Sequence, residues 1–296
     1  MSKLTREERA QVLEEALPYF QRYRKRTIVL KYGGHAMVDR NLKEAFARDL
    51  VLLEQARINP VVVHGGGPQI GKMLKNLGIE SQFHGGMRIT DEQTMDVVEM
   101  VLAGQVNKEI VARIGRHGGR AVGLTGRDAG LLKARKMEAQ PSDHSPELID
   151  LGRVGTVDSV DVTILETLKK SEIIPVVAPV GYGPGGTALN INADLVAQQL
   201  AIELSAERLL LMTDVDGVQD KNGELIRHID VSQIEGLIAD GTISGGMIPK
   251  VRGAVEAVHG GVGKVTIMNG TVPHAILLEL FTDEGVGTEI SKEQSA

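Results

Sequence analysis

Two lysines in this sequence stand where local preferences argue against them. Lys31 follows Thr27-Ile-Val-Leu30, which reads as a buried strand, and is followed by Tyr32, Gly33 and Gly34. A point charge at the mouth of such a strand is an unusual placement. Lys250 closes the stretch Ser244-Gly-Gly-Met-Ile-Pro-Lys and enters a helical pattern, with Pro249 expected at the first helical position. A cation in the first turn opposes the helix dipole, at a cost of about 0.3–1 kcal/mol when exposed. A bound polyanion reverses that sign. Both lysines therefore suggest electrostatic stabilisation of a phosphate in transfer.

Glycine-rich turns supply a second part of such a site. The common G-x-x-x-x-G-K-[ST] phosphate loop is absent. Lys31-Tyr-Gly33-Gly34 and His64-Gly65-Gly66-Gly67-Pro68 nevertheless both fall at the C-terminal ends of expected strands. Open α/β sheets bind ligands at those ends. Such turns expose backbone N–H groups, and a following helix N-terminus adds partial positive charge. Taken singly, each cluster reads equally well as a tight turn.

Asn190-Ile-Asn192-Ala-Asp194 opens the helix LVAQQLAIEL. Helix capping accounts for Asn192 fully and for Asp194 well, but leaves Asn190 unexplained. Arg88 lies in Gly86-Met-Arg-Ile-Thr90, ahead of a capping box expected over Thr90-Asp-Glu-Gln93. An Arg held beside an ordered helix start can clamp a carboxylate with two parallel hydrogen bonds. Taken alone, it reads better as a solvated surface charge. His35, His64, His84 and His274 show no metal-like spacing, and structural roles are expected for them.

The elements that must position these residues alternate between short β-branched runs and helical patterns. Strands are expected over residues 27–31, 60–64, 120–124, 173–178, 208–213 and 264–268, and helices over 41–56, 68–77, 94–116, 193–204, 231–239 and 250–259. Continuous apolar runs such as PVVVH and IIPVVAP predict strands buried on both faces. The fold class expected is α/β, a three-layer α/β/α sandwich around a mainly parallel central sheet. Three parts are expected: an N-terminal helix over residues 1–26, a lobe over 27–190 and a lobe over 191–296, both lobes sharing one sheet. In the first part, Thr5-Arg-Glu-Glu8 forms a capping box, and Val12, Leu13, Ala16, Leu17 and Phe20 follow helical spacing. Spacing favours packing of this stripe on its own core over docking on another subunit, with a kink at Pro18.

Composition narrows the classes further. The chain has 296 residues, enough for a sizeable core. Aromatic residues are 3% and Trp is absent, so stacking platforms for single-stranded nucleic acid are hard to build. A formal net charge of -6 also argues against a nucleic-acid partner. With no cysteine, disulfides and thiolate metal sites are excluded. The charged start MSKLTREERAQVLEE reads as no secretory leader, and no apolar run reaches membrane-spanning length. A soluble cytoplasmic protein is the expectation.

Together these motifs resemble the amino acid kinase family. The likeness runs through nearly the whole chain from Thr27, in LKYGG, VVVHGGGPQI, FHGGMRIT, GRVGTVDSVD, IIPVVAPVG, NINADLVA, LLLMTDVDGV and GGMIPK. LKYGG and GGMIPK are shared widely in the family, whereas GMRIT and NINAD point to the branch acting on N-acetyl-L-glutamate. The resemblance implies phosphoryl transfer from MgATP to the side-chain carboxylate of that substrate, the second step of arginine biosynthesis through acetylated intermediates. It implies that Lys31 and Lys250 flank the phosphoryl group, that Asp194 orients both, and that no protein side chain binds the metal. Gly34, Gly66 and Gly67 would supply backbone donors, and Arg88 and Asn190 would hold the substrate α-carboxylate. Thr213, Asp214, Asp216, Gly217, Val218, Gly246 and Met247 would lie near the nucleotide.

Members with an N-terminal helix resemble arginine-inhibited homohexamers, trimers of dimers in which that helix swaps between dimers. The tail from Pro273 resembles the segment bordering the arginine pocket, with His274, Glu279 and Gly287 as effector residues. Glu279 would then pair with the arginine guanidinium. Some relatives also bind a PII-type signalling protein, which these motifs neither imply nor exclude. A family member acting on an aminoadipate-type substrate, and a non-catalytic arginine-binding module, are the alternatives.

Overall fold

The computed structural model describes residues 4–138 and 149–292. Helix α1 (Arg6–Tyr23) leads into β1 (Thr27–Tyr32), followed by α2 (Arg40–Gln55), β2 (Asn59–His64) and α3 (Gly67–Asn76). A short hairpin, β3 (Phe83–His84) with β4 (Met87–Arg88), precedes α4 (Glu92–Glu99), a π-helical segment (Met100–Val106) and α5 (Asn107–Arg116). Next come β5 (Ala121–Thr125), β6 (Leu132–Lys136), β7 (Val154–Val160), α6 (Thr163–Lys170), β8 (Ile174–Ala178), β9 (Val180–Tyr182) and β10 (Ala188–Ile191). The rest is α7 (Ala193–Glu203), β11 (Arg208–Thr213), β12 (His228–Asp230), α8 (Ile234–Ala239), α9 (Met247–His259), β13 (Lys264–Asn269), α10 (Ala275–Leu280) and β14 (Thr288–Ser291).

Eight strands form one sheet in the order β12-β14-β13-β11-β1-β2-β8-β5. Every neighbouring pair is parallel except β13 with β14. Helices cover both faces, so the chain is an α/β protein with a large, mainly parallel central sheet. Alternation along β1 decides which way Lys31 faces. Ile28, Leu30 and Tyr32 enter the core shared with Phe46 and Leu50 of α2. Val29 enters the opposite core, with Val196 and Leu200 of α7 and Val251 and Ala254 of α9. Lys31 falls on the same side of the strand as Val29, toward the two helices whose first turns carry Asp194 and Lys250.

Each fully buried aliphatic side chain of these cores contributes about 1.5–3 kcal/mol. The central strand β1 is therefore a rigid support for whatever its C-terminal end carries.

The six expected strands all form, with ends shifted by at most one residue. A four-stranded closed sheet, β10-β7-β6-β9, was not anticipated, nor were β12, β14, α6 and α10. These are short and carry mixed patterns, as in Leu132-Lys-Ala-Arg-Lys136, so their periodicity is weak. Two caps are corrected. Asp91, not Thr90, caps α4, because the Thr90 backbone is taken by Leu151 and Arg153. Helix α9 begins at Met247, which places Pro249 third rather than first and Lys250 fourth.

The largest correction concerns α1. Its capping box forms between Thr5 and Glu8, and the helix runs uninterrupted through Pro18. Val12, Leu13 and Leu17 are nevertheless 52%, 69% and 50% exposed, so the stripe does not pack on its own core. Contact is made at the end of the helix, where Tyr19, Phe20 and Tyr23 surround Phe281. Helical spacing reports that a face is apolar, not what covers it. Among the described residues, no helix is long and apolar enough to cross a membrane.

Candidate active site

The C-terminal ends of β1 and β2 and the first turn of α7 converge on one cavity of about 300 Å³. Lys31, at the end of β1, places Nζ 2.9 Å from Asp194 Oδ1. Lys250 donates to the other carboxylate oxygen of Asp194. The three side chains are only 13%, 23% and 23% exposed, in the order Lys31, Asp194, Lys250. Asp194 is held in place by its helix, since its N–H donates to Asn192 Oδ1 at 2.7 Å in an N-cap. Burial pushes the Asp194 pKa up, but the two lysines outweigh it and hold the group below the usual carboxylate range. It stays ionised.

Both glycine turns line the cavity. Gly34 has φ +69°, and a Cβ there would collide with the Asp214 carboxylate. Asp214 Oδ1 also accepts from the His35 N–H at 2.7 Å. A Cβ on Gly33 would meet Lys31 Nζ at 2.5 Å. The space cleared by this turn is thus filled in part by side chains, those of Lys31 and Asp214. In the second turn, Gly66 caps α3, and a Cβ on it would lie 2.5 Å from Leu102 Cδ2. Gly67 has open space where a Cβ would be.

Arg88 enters the same cavity from the β3–β4 hairpin. Its guanidinium lies 4.5 Å from the centroid of the Phe83 ring, donates to Ser81 Oγ, and donates to the Gly67 carbonyl at 3.2 Å. The hairpin thus fixes a planar cation that still has donors to offer. Asn190, on β10, donates to Thr90 Oγ1 at 3.3 Å, and Thr90 Oγ1 donates to the Arg88 carbonyl at 2.8 Å. Thr90, Ser81 and Phe83 were missed by sequence reasoning. Ser81 and Phe83 act only once the hairpin folds back on Arg88, and Thr90 through Asn190, 100 residues away; only the capping reading had drawn notice to Thr90. Apolar walls come from Met37, Met87, Leu102, Met137 and Val154.

Lys250 does not line this cavity; it approaches Asp194 from the α9 side. Near it are Gly246 and Met247 at the start of α9. Thr213 ends β11, and Asp214 follows it at the glycine turn. Asp216 accepts from Asn269 Nδ2 at 2.7 Å. A Cβ on Gly217, at φ +152°, would collide with Thr288; the Val218 N–H donates to Thr288 Oγ1 at 2.8 Å, and the Val218 side chain is buried in the core. Packing rather than ligand contact accounts for the Val218 side chain.

The three candidate effector residues do not come together. Glu279 and Gly287 border a second cleft, of about 290 Å³, beside Tyr19 and Tyr23 of α1. His274 lies outside it, and its Nδ1 is 2.6 Å from Asp49 Oδ1. Glu279 is occupied by an internal guanidinium, that of Arg208. It accepts from Arg208 Nη2 at 2.6 Å, from Thr266 Oγ1 at 2.8 Å and from the Val286 N–H at 2.9 Å.

The sequence profile of the amino acid kinase family matches residues 26–269. An acetylglutamate kinase of Stutzerimonas stutzeri is 57% identical over 288 residues, 96% of each chain. One of Desulfotalea psychrophila is 58% identical over 286 residues, 96% of this chain and 97% of that one. Among solved structures, N-acetylglutamate synthase from Neisseria gonorrhoeae, complexed with coenzyme A and N-acetyl-glutamate, superposes with a TM-score of 0.84 at 27% identity. The match covers 96% of this chain but only 64% of the synthase. Carbamate kinase from Giardia lamblia, at 17% identity and a TM-score of 0.62, shares the fold.

Proposed function

The chain belongs to the amino acid kinase family and is a kinase, and we propose that its acceptor is the side-chain carboxylate of N-acetyl-L-glutamate. MgATP is the donor and N-acetyl-L-glutamyl 5-phosphate the product, in the second step of arginine biosynthesis in the cytoplasm. The observation that carries this reading is Asp194 held between Lys31 and Lys250, with Lys31 and Asp194 in one cavity with Arg88 and Asn190.

The chemistry needs no general base. A free glutamate side chain has a pKa of about 4.3, so the nucleophile arrives ionised. The remaining obstacle is repulsion between an anionic nucleophile and an anionic phosphoryl donor. Lys31 and Lys250 offset that charge from two sides, and Asp194 fixes where both stand. Gly34, Gly66 and Gly67 supply backbone donors. Arg88 holds the α-carboxylate with the donors not used by Ser81 and Gly67, and Asn190 assists. The apolar walls accept the acetyl methyl group. Magnesium travels with the nucleotide, which Thr213, Asp214, Asp216, Gly217, the Val218 backbone, Gly246 and Met247 border. Residues 27–190 thus serve the acceptor and 191–296 the nucleotide.

Arginine feedback and a homohexamer belong to the same proposal. The exposed stripe of α1 supports a helix that docks on another copy, and the cleft beside its last turn supports an effector site reached once Arg208 yields Glu279. Trapping the acyl phosphate as a hydroxamate, with N-acetylglutamate, glutamate and aspartate as competing acceptors, tests the acceptor. Equal turnover of free glutamate would overturn it.

A further inference from the structure

The proposed reaction uses the backbone of the second glycine turn and leaves His64 without a part. His64 ends β2, is wholly buried, and has both ring nitrogens engaged. Its Nδ1 lies 2.7 Å from the Gly65 carbonyl oxygen. A carbonyl only accepts, so Nδ1 carries the proton. On the other side, Asn107 Nδ2 stands 3.2 Å from Nε2. The same amide nitrogen donates to the Val176 carbonyl at 2.8 Å and lies 3.4 Å from the Leu124 carbonyl, a setting that only the NH₂ end fits. Asn107 therefore donates to Nε2, and Nε2 is the bare acceptor. Burial pushes the His64 pKa down to about 4, so the ring is neutral in the neutral range.

The single tautomer has a consequence for the loop. In a trans peptide the carbonyl and the next N–H point in opposite directions. Holding the Gly65 oxygen toward buried His64 turns the Gly66 N–H out of the core, toward the cavity that Gly65, Gly66 and Gly67 line. Leu102, from the π-helical segment, grips the turn closely beside Gly66. We infer that His64 is a positioning residue for phosphoryl transfer: its Nδ1–H fixes the Gly65–Gly66 peptide so that the Gly66 N–H meets the transferring group, and Asn107 fixes the tautomer. This rests on reading the cavity as the site of carboxylate phosphorylation.

Two substitutions separate positioning from packing. His64→Asn puts an amide nitrogen near the place of Nδ1 and keeps the donor to Gly65. His64→Gln fills more of the volume and faces Asn107, but loses that donor. The Asn variant is expected to keep kcat within about threefold, and the Gln variant to lose roughly tenfold or more, with KM for both substrates little changed. A Gln variant as active as the Asn variant, or a loss confined to KM, overturns the inference. Nitrogen NMR of the parent imidazole gives a second reading that does not depend on turnover. The protonated Nδ1 and bare Nε2 are expected from pH 8 down to about pH 5; the opposite tautomer overturns the inference even if the parent is active. An inactive parent with the expected tautomer defeats the proposed reaction, and with it a role for His64 in that reaction.

Discussion

Lys31 Nζ stands 2.9 Å from Asp194 Oδ1, in an ion pair largely closed off from solvent. Lys250 donates to the other oxygen. Lys31 is thereby held at the C-terminal end of β1, beside the cavity that it and Asp194 line. A shared carboxylate between two cations fixes their positions without neutralising both, which leaves net positive charge for phosphate.

Arg88 should not be replaceable by lysine. Its guanidinium lies over Phe83 and is fixed by Ser81 and Gly67, and an ammonium reproduces neither the fork nor the stacking. Arg88→Lys is expected to raise KM for N-acetylglutamate about tenfold or more, with KM for ATP nearly unchanged. Steady-state kinetics with each substrate varied in turn provide the check. An equal rise in both constants would contradict a carboxylate clamp.

That clamp also shows where sequence reasoning stopped. Lys31 and Lys250 were legible because each breaks a local rule, and local rules are what a sequence displays; Asp194 obeys the rule for a first helical turn, and only the family resemblance pointed to it. The strand under Lys31 was legible to within one residue for the same reason. Ser81, Phe83 and Thr90 break no rule. Their part arises only when the hairpin folds back and β10 pairs with β7, bringing Asn190 to Thr90 across a separation of 100 residues. The exposure of α1 was equally illegible, since its pattern is the same whether its own core or a partner covers it.

The stripe on α1 gives the next expectation. Leu13 is 69% exposed, so Leu13→Glu removes nothing from the core of the chain. If α1 docks on another copy, the substitution lowers the oligomer mass in light scattering and blunts arginine inhibition. The melting point and the uninhibited activity should change little, surface substitutions costing within about 0.5 kcal/mol. Deleting residues 1–26 should act in the same direction. An unchanged mass in both variants would contradict the docking role.

Asp49 sets a pH dependence of stability. It is almost fully buried, and burial pushes its pKa up to about 6 although the bond to His274 opposes the rise. An unfolded aspartate titrates near about 3.9, so between that value and the folded one the folded state binds more protons. Stability contributed here is present at low pH and falls as pH rises from about 4 to about 6. Asp49→Asn should flatten this segment of the curve by on the order of 1–3 kcal/mol relative to the parent. Urea denaturation of both proteins at stepwise pH measures the difference; parallel curves would contradict it.

The two lysines sharing Asp194 are proposed to stabilise phosphoryl transfer to a carboxylate. The most direct measurement is the ATP-dependent hydroxamate assay with N-acetylglutamate on the parent, Lys31→Ala and Lys250→Ala. Each variant is expected to lose about 10²-fold or more in kcat while keeping a parental melting curve. Turnover undiminished in both folded variants would rule out these roles for Lys31 and Lys250.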